Sequence, residues 1–271
     1  MNTKTSRIKP YQIILHIPHS SMFIPDRCRS LFYLNEQALR KELLCMTDSY
    51  TDELFDMPDI PEKNRIIFPY SRLICDVERF RDDRQELMAE RGMGVCYSMT
   101  SELKPLKQIS AEHRIEMYRL YDRHHAALTA AADRIMKNSG QAIVIDCHSF
   151  ASEQLLYESV GTDPGVKRQK RPEICIGTDS DWHTPSWLPD IVLESFLKRG
   201  YDVALNDPFS GTLVPMKYYH QDRNLLSIMI EVNRRLYMDE STGEKTAGFE
   251  TVRKDIGDTI AEILTAPDEM R

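Results

Sequence analysis

The sequence predicts a single α/β domain over residues 1–271, with a mostly parallel or mixed central sheet and helices on both faces. Three observations carry this prediction. Short, β-branched apolar runs such as YQIILHI, QAIVID and LLSIMIEV recur along the chain. Longer stretches of helical periodicity, several with capping residues at their starts, lie between them. Three of the apolar runs lead directly into polar clusters. Strands that alternate with helices favour parallel pairing, because each crossover helix covers a face of the sheet.

Taken in order, residues 11–17 read as a buried strand stopped by Pro18. Residues 35–55 read as a helix with Asn35 as N-cap and Pro58 as its stop. Residues 65–68 and 73–77 read as strands, the second leading into a charged loop. Ser110 caps a long helix to residue 138, ended by Ser139-Gly140. Strands follow at 142–146 and 173–177, a helix at 185–198 stopped by Gly200, strands at 201–205 and 226–232, and a closing helix at 246–264. The polar, irregular segments 80–110 and 151–172 are expected to be long loops or lids.

The chain has 271 residues, 41% hydrophobic and 28% charged, with a formal net charge of −7. That composition supports a sizeable core, and the lack of a basic run argues against nucleic acid as a partner. Cys28, Cys45, Cys75, Cys96, Cys147 and Cys175 form no C-x-x-C pair, which fits reduced thiols rather than a disulfide framework. The N-terminal stretch has an apolar run of only about five residues, broken by His16, so no signal peptide is expected. Nothing approaches the roughly 18 apolar residues of a membrane span. A cytoplasmic protein, monomeric or a small homo-oligomer, is expected.

In such sheets ligands gather at the C-terminal ends of strands. Three polar clusters fall there: His16 to Ser21, Asp146-Cys147-His148-Ser149, and Glu231 to Arg234. Alternation along a strand puts Asp146 and His148 on one face and Cys147 on the other. Asp146 can then support His148. Within the helix at 35–55, Leu44, Asp48, Thr51 and Phe55 share one stripe, which puts an acid among apolar neighbours. A buried carboxylate is costly unless paired or bound to metal. Two imidazoles and one carboxylate, with an open position for water, are the ligand set of a hydrolytic zinc site. Zinc acidifies water and polarises a carbonyl, and Glu231, partly desolvated at a strand end, suits a proton shuttle. Arg72 or Arg79 has the fork that grips a substrate carboxylate.

The remaining histidines read differently. His124 and His125 point about 100° apart on a helix and cannot easily share an ion, so both read as structural. His113 reads as a surface residue, and His220 belongs to a loop after Tyr218-Tyr219. Asn206 to Gly211 is a turn signature that also stands close enough to a strand end to line a pocket.

Together, IPHSS at 17–21, TDSYTDEL at 47–54, SRLICDVER at 71–79, DCHS at 146–149, NDPFSG at 206–211 and IEVNRRLY at 230–237 resemble the N-formylglutamate amidohydrolase family. That family is itself similar to zinc carboxypeptidases and to the succinylglutamate desuccinylase and aspartoacylase group. The resemblance implies a phosphorylase/hydrolase-like, zinc-carboxypeptidase-like fold and an enzyme of amino-acid degradation that holds one Zn2+ per chain. It makes His19 and His148 metal ligands, Glu231 the general base, and Arg79 and Arg72 the clamp on the substrate carboxylate. Asn206 joins them as a substrate-binding residue. Met22 stands where the carboxypeptidases carry their ligand glutamate, so the carboxylate is expected from Asp48. His16 is expected to face away from His19 and is the weaker alternative ligand.

The expected reaction is hydrolysis of a linear amide, removing formyl or a similar small acyl group from an N-acylated amino acid such as N-formylglutamate. Glu78, where the related segment usually has Asn, argues for one alternative, a carboxypeptidase-like or other N-acyl-amino-acid amidase for neutral or basic substrates. The absence of the family-typical ligand spacing around His19 argues for another, a binding protein on the same fold that has lost catalysis.

Overall fold

The computed structural model of the chain describes residues 8–159 and 170–266. Its strands are β1 (Ile13–Ile17), β2 (Arg65–Ile67), β3 (Ala142–Phe150), β4 (Ile174–Gly177), β5 (Val203–Leu205) and β6 (Leu225–Asn233). They form one mixed sheet in the order β2-β1-β3-β6-β4-β5. The first four run parallel; β4 lies antiparallel to β6 and parallel to β5. The helices are α1 (Asp26–Arg29), α2 (Glu36–Met46), α3 (Thr51–Leu54), α4 (Ala111–Ser139), α5 (Ser180–His183), α6 (Trp187–Lys198) and α7 (Phe249–Thr265). Asn35 caps α2 by accepting from the Ala38 N–H, and Ser110 caps α4 by accepting from His113.

Alternation along the strands sorts the two faces. Ile13, Leu15, Ile143, Ile145, Cys147, Ile228 and Ile230 pack with Val192 and Phe196 of α6 and with Ile256 and Ile260 of α7. On the other face, Ile14, Val144 and Leu225 pack beneath Leu128, Ala131 and Ile135 of α4. Each fully buried aliphatic side chain contributes about 1.5–3 kcal/mol, so these two layers fix the sheet. Further along that second face the same alternation delivers His16, Asp146, His148, Met229 and Glu231. One face is apolar throughout, and the other changes from apolar to ionisable where α4 no longer covers it.

Three expected elements differ. The helix predicted over 35–55 is two helices: Thr47 leaves helical geometry at ψ 136° and Tyr50 is left-handed at φ 67°. Asp48 sits in the break, so the stripe through Leu44, Asp48, Thr51 and Phe55 is not a helix face. The break has a local cause. The Asp48 N–H donates to the His19 carbonyl at 3.0 Å, and the Asp48 carbonyl accepts from the Thr51 hydroxyl at 2.8 Å. Residues 73–77 are turns rather than a strand, pinned by Ile74 N to Ser71 O and by Asp76 N to Val95 O. β3 does not end at Asp146; it continues to Phe150 in register with β6, with His148 opposite Glu231.

The segment 80–110 has little regular structure beyond a 3-10 turn at Leu87–Arg91. It is nonetheless packed: Met93, Val95, Tyr97 and Leu106 are buried with Phe68, Leu73 and Val77 in a second core. It forms a wall of the molecule rather than a free-standing lid. The other expected lid, 151–172, has a short turn at Leu156–Ser159, and its residues 160–169 lie outside the described residues, as do residues 1–7.

Candidate active site

Pairing of β1 with β3 stops at His16 opposite Asp146, while β3 continues along β6. Beyond Asp146, β3 therefore has a strand neighbour on one side only. The open side is filled by three pieces of chain: the turn after β1 with His19, the break after α2 with Asp48, and the turns at 71–79 with Asp76 and Glu78. All of these side chains except Glu78 are nearly inaccessible to solvent.

The partners of the histidine nitrogens define the site. His19 Nε2 lies 2.9 Å from Asp76 Oδ1. His148 Nδ1 lies 3.1 Å from Asp48 Oδ2. Each imidazole thus has one nitrogen held by a buried aspartate, the arrangement that orients metal-ligating histidines. The other nitrogens face acids as well: His148 Nε2 is 2.9 Å from Glu78 Oε1 and 3.1 Å from Asp146 Oδ1, and His19 Nδ1 is 3.8 Å from both Glu78 Oε2 and Asp48 Oδ2. His19 Nδ1 is buried and makes no hydrogen bond. Such an orphan costs about 1–3 kcal/mol unless a partner is supplied. His19, Glu78 and His148 bring ligand atoms within 4.8 Å of one another, as do His16, Glu78 and Asp146. A divalent cation fits this donor set: two imidazoles and a carboxylate, each imidazole backed by a second acid.

The aspartates are held in place by cations. Asp76 accepts from Arg72 at 2.8 Å and from the Tyr97 hydroxyl at 2.6 Å, with Arg79 at 3.3 Å. Burial would raise its pKa, but Arg72, His19 and Arg79 together hold it well below the usual carboxylate range. Asp48 accepts from Arg234 at 2.9 Å and from the Ser149 N–H at 3.2 Å. It too is held well below that range despite burial, by His148, His19 and Arg234. For His148, burial opposes the charged form, but Glu78, Asp146 and Asp48 raise its pKa well above the ordinary value. The ring is a place where positive charge is strongly favoured.

Glu231 is the opposite case. It faces the same space from β6, its Oε2 is buried without a hydrogen bond, and no guanidinium pairs with it among the described residues. Burial pushes its pKa up to about 8, with Asp48 and Glu78 adding to the effect and His148 opposing it. A cavity of about 640 Å³ opens onto His19, Asp48, Glu78, His148 and Glu231, and Arg72, Arg79 and Arg234 also line it. Arg79 Nε is buried without a hydrogen bond. The cavity therefore presents a carboxyl group of raised proton affinity beside guanidinium groups held by Asp76 and Asp48.

The family profile for N-formylglutamate amidohydrolase matches residues 11–238. The chain belongs to the N-formylglutamate amidohydrolase family. It is 22% identical over 238 residues to an N-formylglutamate deformylase of Pseudomonas putida, covering 84% of this chain and 82% of that one. In fold it resembles the crystal structure of an N-formylglutamate amidohydrolase from Ralstonia eutropha, with TM-score 0.77, 22% identity and coverage of 96% of this chain and 95% of that one. A gene product of Agrobacterium tumefaciens has the same fold, with TM-score 0.61, 19% identity and coverage of 93% and 91%.

For this family member, the structure brings together His19, Asp48, Arg72, Arg79, Asp146, His148 and Glu231 from the sequence reading. Asp48 lies 3.1 Å from His148 Nδ1 and 3.8 Å from His19 Nδ1, tied to Arg234 and Ser149, while Glu78, not expected among the ligands, faces His148 Nε2 and His19 Nδ1. His16 and His19 do not face apart, since both Nδ1 atoms lie within 4 Å of Glu78. Asn206 is not at the site: it is exposed at φ 55°, and its side chain bonds to Thr178. The cavity is lined instead by the next residues, Pro208, Phe209 and Ser210. Sequence reasoning missed Asp76, Tyr97 and Arg234. The available signal for Asp76 was an acid inside the apolar run LICDV, the same oddity that drew attention to Asp48.

Among the other histidines, His124 is buried with Nε2 2.9 Å from His16 Nε2, and His125 Nε2 lies 2.7 Å from the Val77 carbonyl. No described helix is long and apolar enough to cross a membrane.

Proposed function

We propose that this chain is a metal-dependent amidohydrolase that removes a formyl or similarly small acyl group from an N-acylated amino acid, N-formylglutamate being the leading substrate. The observation that carries this reading is the pair of buried, aspartate-backed imidazoles that both adjoin Glu78, next to Glu231, whose buried Oε2 makes no hydrogen bond. His19, Glu78 and His148 would hold the cation, with Asp76 and Asp48 orienting the two rings. Zinc suits these nitrogen and oxygen donors. The ion, when bound, polarises the amide carbonyl and acidifies water.

The chain's own residues supply the rest. Glu231 takes the proton from the attacking water and delivers it to the leaving nitrogen, so amide plus water becomes carboxylic acid plus free amine. Arg79 and Arg72, which line the cavity and are both anchored by Asp76, would receive the substrate's carboxylate. Glu78 does not weigh against an acidic substrate here, because its oxygens point at the histidines and its charge would be met by the cation. Names of relatives support the formylglutamate assignment, and a 640 Å³ cavity leaves room for larger acyl groups. The protein would act without nucleic acid or membrane.

The test is to supply zinc-loaded protein with N-formyl, N-acetyl and N-succinyl derivatives of glutamate, leucine and lysine. Free amine released fastest from N-formylglutamate is expected. A preference for N-acyl leucine or lysine would move the substrate to the neutral or basic alternative. Bound zinc with no release from any of them would favour a binding protein.

A further inference from the structure

We propose that the protein holds two divalent cations bridged by Glu78, with His16 and Asp146 completing the second site. The inference extends the reading of Glu78 as a ligand of the first cation. His16 Nδ1 lies 2.7 Å from Asp146 Oδ1 and 3.9 Å from Glu78 Oε1, and all three ligand atoms fall within 4.8 Å of one another. Glu78 Oε2 lies toward His19, and its Oε1 stands between His148 Nε2, at 2.9 Å, and His16 Nδ1, at 3.9 Å, so this one carboxylate touches both groups of ligands. A carboxylate shared in this way is what joins two ions about 3.5–4 Å apart in two-metal hydrolases.

Each ligand of the second site has its own outer support. His16 Nε2 is directed at His124 Nε2, 2.9 Å away, which leaves Nδ1 for the ion. Asp146 Oδ2 accepts from the Leu213 N–H at 2.8 Å, which turns Oδ1 toward the ion, between His16 Nδ1 and His148 Nε2 at 3.1 Å. The pairing of His16 with Asp146 across β1 and β3 fixes both on rigid strands, away from loops.

Charge and access point the same way. Arg234 pairs with Asp48, and Arg72 and Arg79 pair with Asp76. Glu78 and Asp146 have imidazoles but no guanidinium among their described ion pairs. Asp146 is fully buried, and a buried carboxylate is costly unless it is paired or bound to metal. One ion beside His19 covers Glu78, and a second beside His16 covers Asp146. The two sites are also reached from different directions. A second cavity of about 320 Å³ is lined by Glu78, Asp146, Asp179, Ser210 and Thr212, and it includes neither His19 nor His148. Water and a hydrated cation can approach Asp146 there without passing the substrate side.

The experiment is a zinc titration of chelator-stripped full-length protein by calorimetry, with zinc counted by elemental analysis after gel filtration. Two zinc ions per wild-type chain are expected, falling to one in both His16→Gln and Asp146→Asn and to no more than one in His148→Ala. A wild type that saturates at one zinc, lost in His148→Ala but kept in His16→Gln, would overturn this inference and leave the first site standing. One zinc lost in His16→Gln but kept in His148→Ala would overturn both. The wild-type count needs no variant, so it decides the matter even if a substitution prevents folding.

Discussion

Two groups of histidines in this chain differ in what their nitrogens face. His183 and His220 stack with Trp182 and Tyr219, with ring centroids 4.1–6.1 Å apart. His183 Nδ1 donates to the Leu225 carbonyl at 2.7 Å, and its Nε2 accepts from the His220 N–H at 2.9 Å. Both of its nitrogens are therefore used by the backbone, and the ring is structural. His16, His19 and His148 instead have buried carboxylates against their nitrogens, and one nitrogen of His19 has nothing to bond. His183 is as buried as they are, whereas His220 is exposed, with its Nε2 3.3 Å from Asp179. What separates chemistry from packing is whether a second nitrogen remains for a ligand.

The comparison can be broken most sharply by one substitution in each group. His148→Ala should abolish amide hydrolysis and empty the His19 site, whereas His183→Gln should keep metal content and turnover and cost about 1–3 kcal/mol of stability for the lost buried hydrogen bonds. Zinc counts, initial rates and urea midpoints on both proteins give the answer. Equal losses of zinc would erase the distinction.

A second, smaller effect concerns the acid behind His19. Asp76→Asn should weaken zinc binding about 10- to 100-fold by loosening that ring, and should cost about 3–5 kcal/mol because Arg72 is left buried beside a neutral group. Its sign with pH is fixed. The folded carboxylate titrates below its unfolded value of about 3.9, so its stabilisation is complete above about pH 4 and is lost as pH falls further. The variant should show a shallower acid limb in a stability-against-pH curve.

Glu78→Gln should weaken zinc more than Asp48→Asn does, because Glu78 faces both rings with no guanidinium among its described ion pairs, whereas Asp48 is tied to Arg234. A chelator competition series ranks them, and the reverse order would return the ligand role to Asp48. The smallest effect is on the metal-free protein. Glu231 has a folded pKa of about 8 against an ordinary 4.5, so the folded state binds the extra proton between those values and stability declines as pH rises through that window. Glu231→Gln should remove the decline, a gain on the order of 3 kcal/mol near pH 8, read from urea midpoints at pH 5 and pH 8. A decline that persists in the variant would mean that another group causes it.

The central strands were readable because a strand buried on both faces is a continuous apolar run, and β1, β3 and β6 fall where those runs are. His148 and Glu231 were readable for the same reason, as polar residues within those runs. Asp48 was singled out for a helical stripe that does not exist. Its helix breaks because the Asp48 N–H bonds to His19, a contact 29 residues distant in sequence that no local pattern encodes. Glu78 and Asp76 were harder still, since they lie on irregular turns whose course is set by packing against Val95 and Tyr97. Side-chain partnership across such turns is a tertiary fact.

The central claim is that Glu231 moves the proton at a metal-dependent amidase site. Its most direct test is the release of formate from N-formyl-L-glutamate by zinc-loaded wild type and by Glu231→Gln, with zinc measured on the same samples. The expected result is turnover by the wild type, slowed in the variant by a factor of about 10² to 10⁴ at unchanged zinc. A variant that retains wild-type turnover would contradict the claim, and so would a wild type that binds zinc and releases no formate.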